Sequence, residues 1–345
     1  MAFKLFNPDQ KVENLYSTKA EPMWTDDSGT LTTFFTGSTQ NSNSGKYYND
    51  VFKTTDQTLD VQFAISYGHR LGSGSEASTT TGTTNPTKGI YSQLRQVLLP
   101  AQTTQFNFKG DGTQNYYSDD VFVIAVNRAR YREKMDPGNW ELRLTSGSST
   151  ISLIDDSGGN ENPEAGWTKR EFNVVSGSVA NGVHTTASAS AAASNSGSHG
   201  LFYPESGMII LNPNSLASGS GKVASAKYIE PLTKSASTNN YEHRKLFTSI
   251  KSGSYFAARR EEQKRSSFYF CEIRADEFNH SQNPSYFTGT NAELSNNSFK
   301  VEPHSYLTSV GLYNDKNELL AVAKLSKPFK KDPNTEALIK VRLDY

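Results

Sequence analysis

The strict alternation over residues 337–345 limits the fold of this chain more than any other stretch. Ala337, Ile339, Val341, Leu343 and Tyr345 fall on one side, and Lys340, Arg342 and Asp344 on the other. A period of two with opposed polarity is that of a half-buried β-strand. Two apolar runs precede it, residues 306–313 and 319–325, separated by Asn314-Asp315-Lys316-Asn317-Glu318. Asn and Asp bond their own backbone and tolerate the left-handed conformation of a tight turn, so the spacing predicts a β-hairpin followed by a returning strand. Lys327-Pro328 and Asp332-Pro333-Asn334 punctuate the connection, because proline removes a ladder donor and keeps its predecessor extended.

Strands set between polar loops recur upstream. In residues 59–67, Val61, Phe63, Ile65 and Tyr67 share one face. Residues 121–126 are uninterrupted apolar and read as a buried strand. Continued through residue 132, that strand would put Arg128, Arg130 and Arg132 on one face. Asp136-Pro137-Gly138-Asn139 reads as a turn, with proline presetting one angle and glycine supplying a positive one; residues 140–144 leave it as a strand. Residues 151–154 and 172–175 are further short strands, and 201–203 with 208–211 predict a hairpin around Pro204-Glu205-Ser206-Gly207. Residues 266–275 form an aromatic-rich strand that leads into the 278–287 loop.

Helix is the minority. Asn85-Pro86-Thr87 opens the best candidate, with Ile90, Leu94, Val97 and Leu98 on one face and Pro100 ending it. Residues 241–250 predict a short second helix, capped by Asn239 or Asn240 and stopped by Gly253. The expected fold is mainly β: two β-rich parts, sandwich- or barrel-like, with few short helices and long Ser/Gly/Asn-rich loops. The boundaries read from composition are an extended docking segment over 1–50, a β-rich domain over 51–175, a flexible Ser/Ala/Gly linker over 176–200 and a second β-rich domain over 201–345.

Composition narrows the function. With 35 basic and 35 acidic side chains the formal charge is zero, which argues against a nucleic-acid or anionic-membrane binder held by bulk electrostatics. The single cysteine, Cys271, allows no intrachain disulfide and reads as a small apolar strand residue. Residues 1–10 lack a signal-peptide pattern and no run is long and apolar enough to span a membrane, so synthesis in the cytoplasm without membrane insertion is expected. No G-x-S-x-G elbow occurs, and Gly219-Ser220-Gly221-Lys222 departs from a phosphate loop and reads as a flexible loop. The six histidines lack the i, i+4 spacing of a helical zinc pair. Asp119-Asp120 and Asp155-Asp156 could serve a glycosidase or calcium site, but neighbouring acids on a strand point apart, so they read as solvated loop or strand ends. No reaction, metal or cofactor is named by these residues.

Interaction surface is the better-supported class. Trp24, Phe34 and Phe35 lie in a segment without period and read as anchors for another surface. The Arg128, Arg130 and Arg132 stripe suits partner carboxylates or phosphate, against a solvated face. Arg259 and Arg260 open a run of mixed sign ending at Arg265, which fits an ion-paired surface or subunit interface. Tyr286 and Phe287 close an aromatic and Asn-rich loop suited to glycans, and Tyr345 ends the terminal strand.

Val310-Gly311-Leu312-Tyr313-Asn314-Asp315, Glu318-Leu319-Leu320-Ala321-Val322-Ala323-Lys324-Leu325-Ser326 and residues 337–345 resemble virion structural proteins of contractile-tailed bacteriophages, particularly those infecting marine cyanobacteria. Residues 47–52, Asn127-Arg128-Ala129-Arg130, Asp136-Pro137-Gly138-Asn139-Trp140 and Asp155-Asp156-Ser157-Gly158 are similar to further segments of that family; residues 176–200 carry no family pattern. The resemblance implies a non-enzymatic building block of the tail or baseplate, without cofactor, whose partners are other tail proteins and copies of itself. A receptor- or glycan-binding tail component, a neck- or head-associated structural protein and a cell-wall hydrolase are the alternatives.

Overall fold

The computed structural model describes residues 4–37, 47–55, 60–75, 85–109, 114–157, 171–180, 183–186, 197–217, 228–234, 241–281 and 283–344. The protein is mainly β, as the alternating segments predict. Its principal strands are β1 (Lys11–Pro22), β2 (Tyr48–Phe52), β3 (Phe63–His69), β4 (Asp120–Val126), β5 (Lys134–Ser146), β6 (Ser149–Asp155), β7 (Phe172–Ala180), β8 (Gly200–Tyr203), β9 (Met208–Leu211), β10 (Phe256–Ile273), β11 (Ser305–Tyr313), β12 (Leu319–Lys331) and β13 (Ala337–Asp344). The two longer helices are α1 (Pro86–Leu98) and α2 (Glu242–Gly253). The chain divides into a larger unit, residues 19–262, and a smaller one built from residues 1–18 and 263–345.

In the larger unit the strands run antiparallel in the order β5-β6-β7-β8-β9-β4-β3-β2. After Asp120, β4 is apolar from Val121 to Val126 because both of its faces are covered. Phe122, Ile124 and Val126 join a core with Phe63, Trp140 and Phe202. Val121 and Val123 join a second with Tyr91, Leu94, Phe106 and Ile210. α1 closes that second core through Thr87, Tyr91 and Leu94, while Val97, expected on the buried stripe, is exposed. The stripe centres on Tyr91, whose hydroxyl donates to Ser118 O at 2.8 Å. Gly68 on β3 admits the helix, since a Cβ there would lie 3.1 Å from the Tyr91 nitrogen. α2 starts after the expected caps, which fall outside the described residues, and buries Leu246, Ile250 and Gly253.

Three expectations are corrected here. The linker over 176–200 divides nothing: β7 extends to Ala180 and pairs with β8, with Phe172 opposite Phe202 and Val174 opposite Gly200. A Ser/Ala/Gly interval shows that a loop lacks core contacts; it carries no information on whether the strands flanking it pair. The stretch 136–139 is a bulge inside β5, where the register with β10 jumps from Trp140 opposite Ala258 to Met135 opposite Arg260. Gly138, at φ 86°, supplies the positive angle expected of a turn. Beyond β4 the strand stops, because the Asn127 side chain accepts from Ala129 N at 3.0 Å and caps a helical turn, Arg128–Tyr131. The three arginines therefore share no strand face.

In the smaller unit β10 is hydrogen-bonded to β1 and to β13, the latter from Ser266 opposite Asp344 to Ile273 opposite Ala337. β11 and β12 form the predicted hairpin: Asn314 Oδ1 accepts from Lys316 N at 3.0 Å and Glu318 N at 2.8 Å, and Asn317 sits at φ 63°. The returning strand, expected beside this hairpin, bonds β10 instead. Lys327-Pro328 falls within β12, in an irregularity where Phe329 opposes Leu307 and Lys324 opposes Ser309; a bulge is a place where a ladder tolerates proline. Buried Lys331 ends β12, its ammonium donating to Ala275 O at 3.0 Å, Asn279 Oδ1 at 2.7 Å and Asp332 O at 2.7 Å.

Candidate interaction surface

Most of the residues expected at an interface are satisfied within the chain. Trp24 and Phe34 are each 2% exposed. The Trp24 indole donates to Phe256 O at 3.0 Å and its ring lies 4.9 Å from that of Phe256; Phe34 packs edge-on to Phe63. They are core side chains of the larger unit, and Phe35 is half-buried on a two-residue strand opposite Phe52. A segment that contributes isolated anchors to a core has no period to show, which is why they read as docking residues. The docking role expected for residues 1–50 is thereby corrected for Trp24 and Phe34.

The basic side chains are likewise engaged. Arg130 pairs with Asp60 at 2.8 Å and donates to Thr25 Oγ1 at 2.9 Å. Arg132 reaches Glu262 at 2.8 Å, and Arg128 lies over the Tyr131 ring. Arg260 is buried between Glu21 and Glu262, both at 2.8 Å, whereas Arg259 is exposed on β10. Residues 260–262 of the mixed run are thus ion-paired within the larger unit, Glu261 with Lys134 among them. In the smaller unit Tyr286 is buried, stacked 4.9 Å from Phe299, and donates to His304 O at 3.1 Å; Phe287 is half-buried against it. Tyr345 and the 219–222 loop lie outside the described residues.

Of the acid pairs only Asp119 keeps the expected exposure, half-open and paired with Arg70; the other three are buried. Asp120 is buried, accepting from Tyr67 Oη at 3.0 Å and pairing with Lys234 at 2.8 Å. Burial, then the Asp120 charge, pushes the Tyr67 hydroxyl far above the ordinary tyrosine range. Asp155 is wholly buried and accepts from Gly138 N and Ser157 N; Asp156 accepts from Asn173 N at 2.9 Å. Asp136, in the bulge, is pushed up to about 6 by burial. Asp155 and Asp156 pin backbone N–H groups, whereas Asp120 is held by the Tyr67 hydroxyl and the Lys234 ammonium and Asp136 by the Asn139 side-chain amide, so these carboxylates act as local staples. Their adjacency showed the acids, but the N–H groups they would meet come from other elements. Among the described residues no group of three or more His, Cys, Asp or Glu is placed to hold a metal, and no helix is long and apolar enough to cross a membrane.

Exposed large apolar side chains occur in both units, Leu71 and Val97 among them in the larger, but in the smaller unit they cluster on strands with an open edge. Among the described residues, β11 and β12 pair only with each other and β13 only with β10, so each keeps one free edge. Tyr306, Leu319, Leu320, Val322 and Leu338 are exposed on these strands, Leu320 at 67%. A shallow groove of about 300 Å³ is lined by Leu325, Lys327 and Phe329 of β12 and by Leu338 and Ile339 of β13. On β10 and β13, Lys340 lies 3.9 Å from the centre of the Phe268 ring, with Arg342 beyond it, a cationic and aromatic face that is half-open. Sequence reasoning found these strands and left open whether they form a rigid core or an edge for strand addition, since the pairing of a strand leaves no mark in its own composition. Comparison of the chain with family models, with curated proteins and with solved structures gives no match.

Proposed function

We propose that this chain is a non-enzymatic structural subunit of a contractile-tailed phage virion, placed in the tail or baseplate and assembling with other tail proteins and with copies of itself. The resemblance of residues 310–326 and 337–345 to such proteins supplies the class. The observation that carries an assembly role is the set of free edges and exposed apolar side chains on β11, β12 and β13. A protein that works alone covers, charges or shortens such edges, whereas a subunit leaves them to its neighbours.

The test is to locate the chain in intact particles by labelling and by density at residue resolution. Occupancy of a ring at the distal tail, with β11 to β13 against neighbouring chains, is the expected result. A purified chain that never enters particles and ignores other tail proteins overturns the reading. Receptor or glycan binding is the second reading, favoured by the row of rings from Tyr286 through Phe299 and His304 to the exposed Tyr306. Location at fibre tips, with binding to host envelope glycans, would turn the assignment to it.

A further inference from the structure

The free edge of β13 borders a groove that it shares with β12 of the hairpin, with cations on both strands. Leu338 and Ile339 point to opposite faces of β13, yet both line the groove, so the groove follows the edge of the strand. Its apolar walls are Leu325 and Phe329 on one side and Leu338 and Ile339 on the other. Lys327 lies in it, with Lys324 on the same strand and Lys340 on β13. Among the described residues none of these three lysines has a carboxylate partner, whereas Lys330 is paired with Glu302 and Arg342 with Asp344. Glu336 is the one carboxylate lining the groove.

We infer that β13 and this groove take an extended acidic segment of a partner protein as an added strand. Main-chain hydrogen bonds to the free edge would give affinity. Alternate apolar side chains would fill the groove between Phe329 and Ile339, and the intervening carboxylates would meet Lys324, Lys327 and Lys340. The charges choose this occupant over a second copy of β13. Two copies paired antiparallel in the central register would set Lys340 of each against Arg342 of the other, and like charges placed opposite one another destabilise a strand pair. They also favour a peptide over a nucleic acid, because three lysines beside one carboxylate are few for a phosphate backbone.

This inference rests on the reading of the chain as an assembly subunit and deepens it by naming the partner's chemistry. The full chain is titrated with a fluorescent nine-residue peptide alternating Val and Glu, and with its Val/Lys counterpart, while hydrogen exchange is followed over residues 337–344. The expected result is saturable binding of the Val/Glu peptide alone, slowed exchange along β13, and affinity about 10-fold lower in the double variant Lys324→Glu, Lys327→Glu. Both lysines are exposed, so an unchanged melting temperature shows that the variant is folded. Equal binding of the Val/Lys peptide, unchanged exchange along β13, or no binding at all overturns the inference. So does displacement of the peptide by oligo(dT) at equal charge, which would make the face a polyanion site. A chain found in particles whose β13 ignores the acidic peptide removes this inference alone; absence from particles removes the reading beneath it.

Discussion

Trp140 and Leu320 are both large apolar side chains on β-strands, yet Trp140 is wholly buried on β5 and Leu320 is 67% exposed on β12. The contrast holds for the units that contain them. The larger unit covers both faces of β4 and gathers Trp24, Phe63, Trp140, Phe202 and Phe256 into one core. In the smaller unit the large apolar side chains buried among the described residues are Ile273, Tyr286, Leu312 and Val341, while Tyr306, Leu319, Leu320, Val322 and Leu338 face outward. Packing therefore does different work in the two: in one it stabilises the fold, and in the other it is left unfinished at the surface, where a partner can complete it.

Matched deletions in the two units should separate these roles. Trp140→Ala is expected to cost about 4 kcal/mol in a denaturant titration, because a buried ring leaves a cavity that a packed sheet fills poorly. A loss under 1 kcal/mol there would mean that the larger unit is no better packed than the smaller. Gly253→Ala comes next. A Cβ at that position would lie 2.1 Å from Arg143 O, so α2 must lift from β5, with a loss on the order of 3 kcal/mol and a lower melting temperature.

Acid should also act through the larger unit. His243 is buried there and held down to about 4 by burial, then by the charge of Arg244. The unfolded chain binds that proton near pH 6.5, before the folded one does, so stability present above about 6.5 is lost as pH falls toward 4. Asp136, held up at about 6, works in the opposite direction over part of that range, and the substitution at His243 isolates the histidine's share. His243→Phe is expected to recover about 2 kcal/mol at pH 5 and nothing at pH 8, read as melting temperature against pH. An unchanged pH slope would show that the residue is not buried neutral.

In the smaller unit the corresponding stake is polar. Lys331→Met leaves three oxygen acceptors without their donor, with an expected loss of about 2 kcal/mol in the exchange protection of residues 275–279. Leu320→Ser is expected to change stability by under about 0.5 kcal/mol and to lower incorporation into particles. If Leu320→Ser instead melts the hairpin, its exposure belongs to folding, and the contrast between the units fails.

The parts of this architecture legible in the sequence are those carried by local periodicity. The alternation over residues 337–344, the Asn314 turn, the hairpin ending at Leu211 and the apolar run of β4 all matched elements, because strand period and turn chemistry are properties of neighbours in the chain. What escaped depends on residues far apart. Trp24 and Phe34 looked unattached because the strands they pack on are distant in sequence. Asp120 and Asp155 looked solvated because the groups they bind come from other elements. The arginines after β4 were misplaced by one capping side chain, Asn127. The candidate surface was legible as strands and illegible as edges, since β13 would read the same whether it joined the hairpin or β10.

The division of the chain also bears on where it can be labelled. Residues 1–18 and 263–345 build one unit, and the stretch between them builds the other. A tag near residue 4 and a tag near residue 344 therefore burden the same body, the one that carries the free edges, and two such tags are not independent controls for an assembly experiment. A reporter carried on a described surface residue within 19–262 would sit on the larger unit and leave both terminal stretches unaltered.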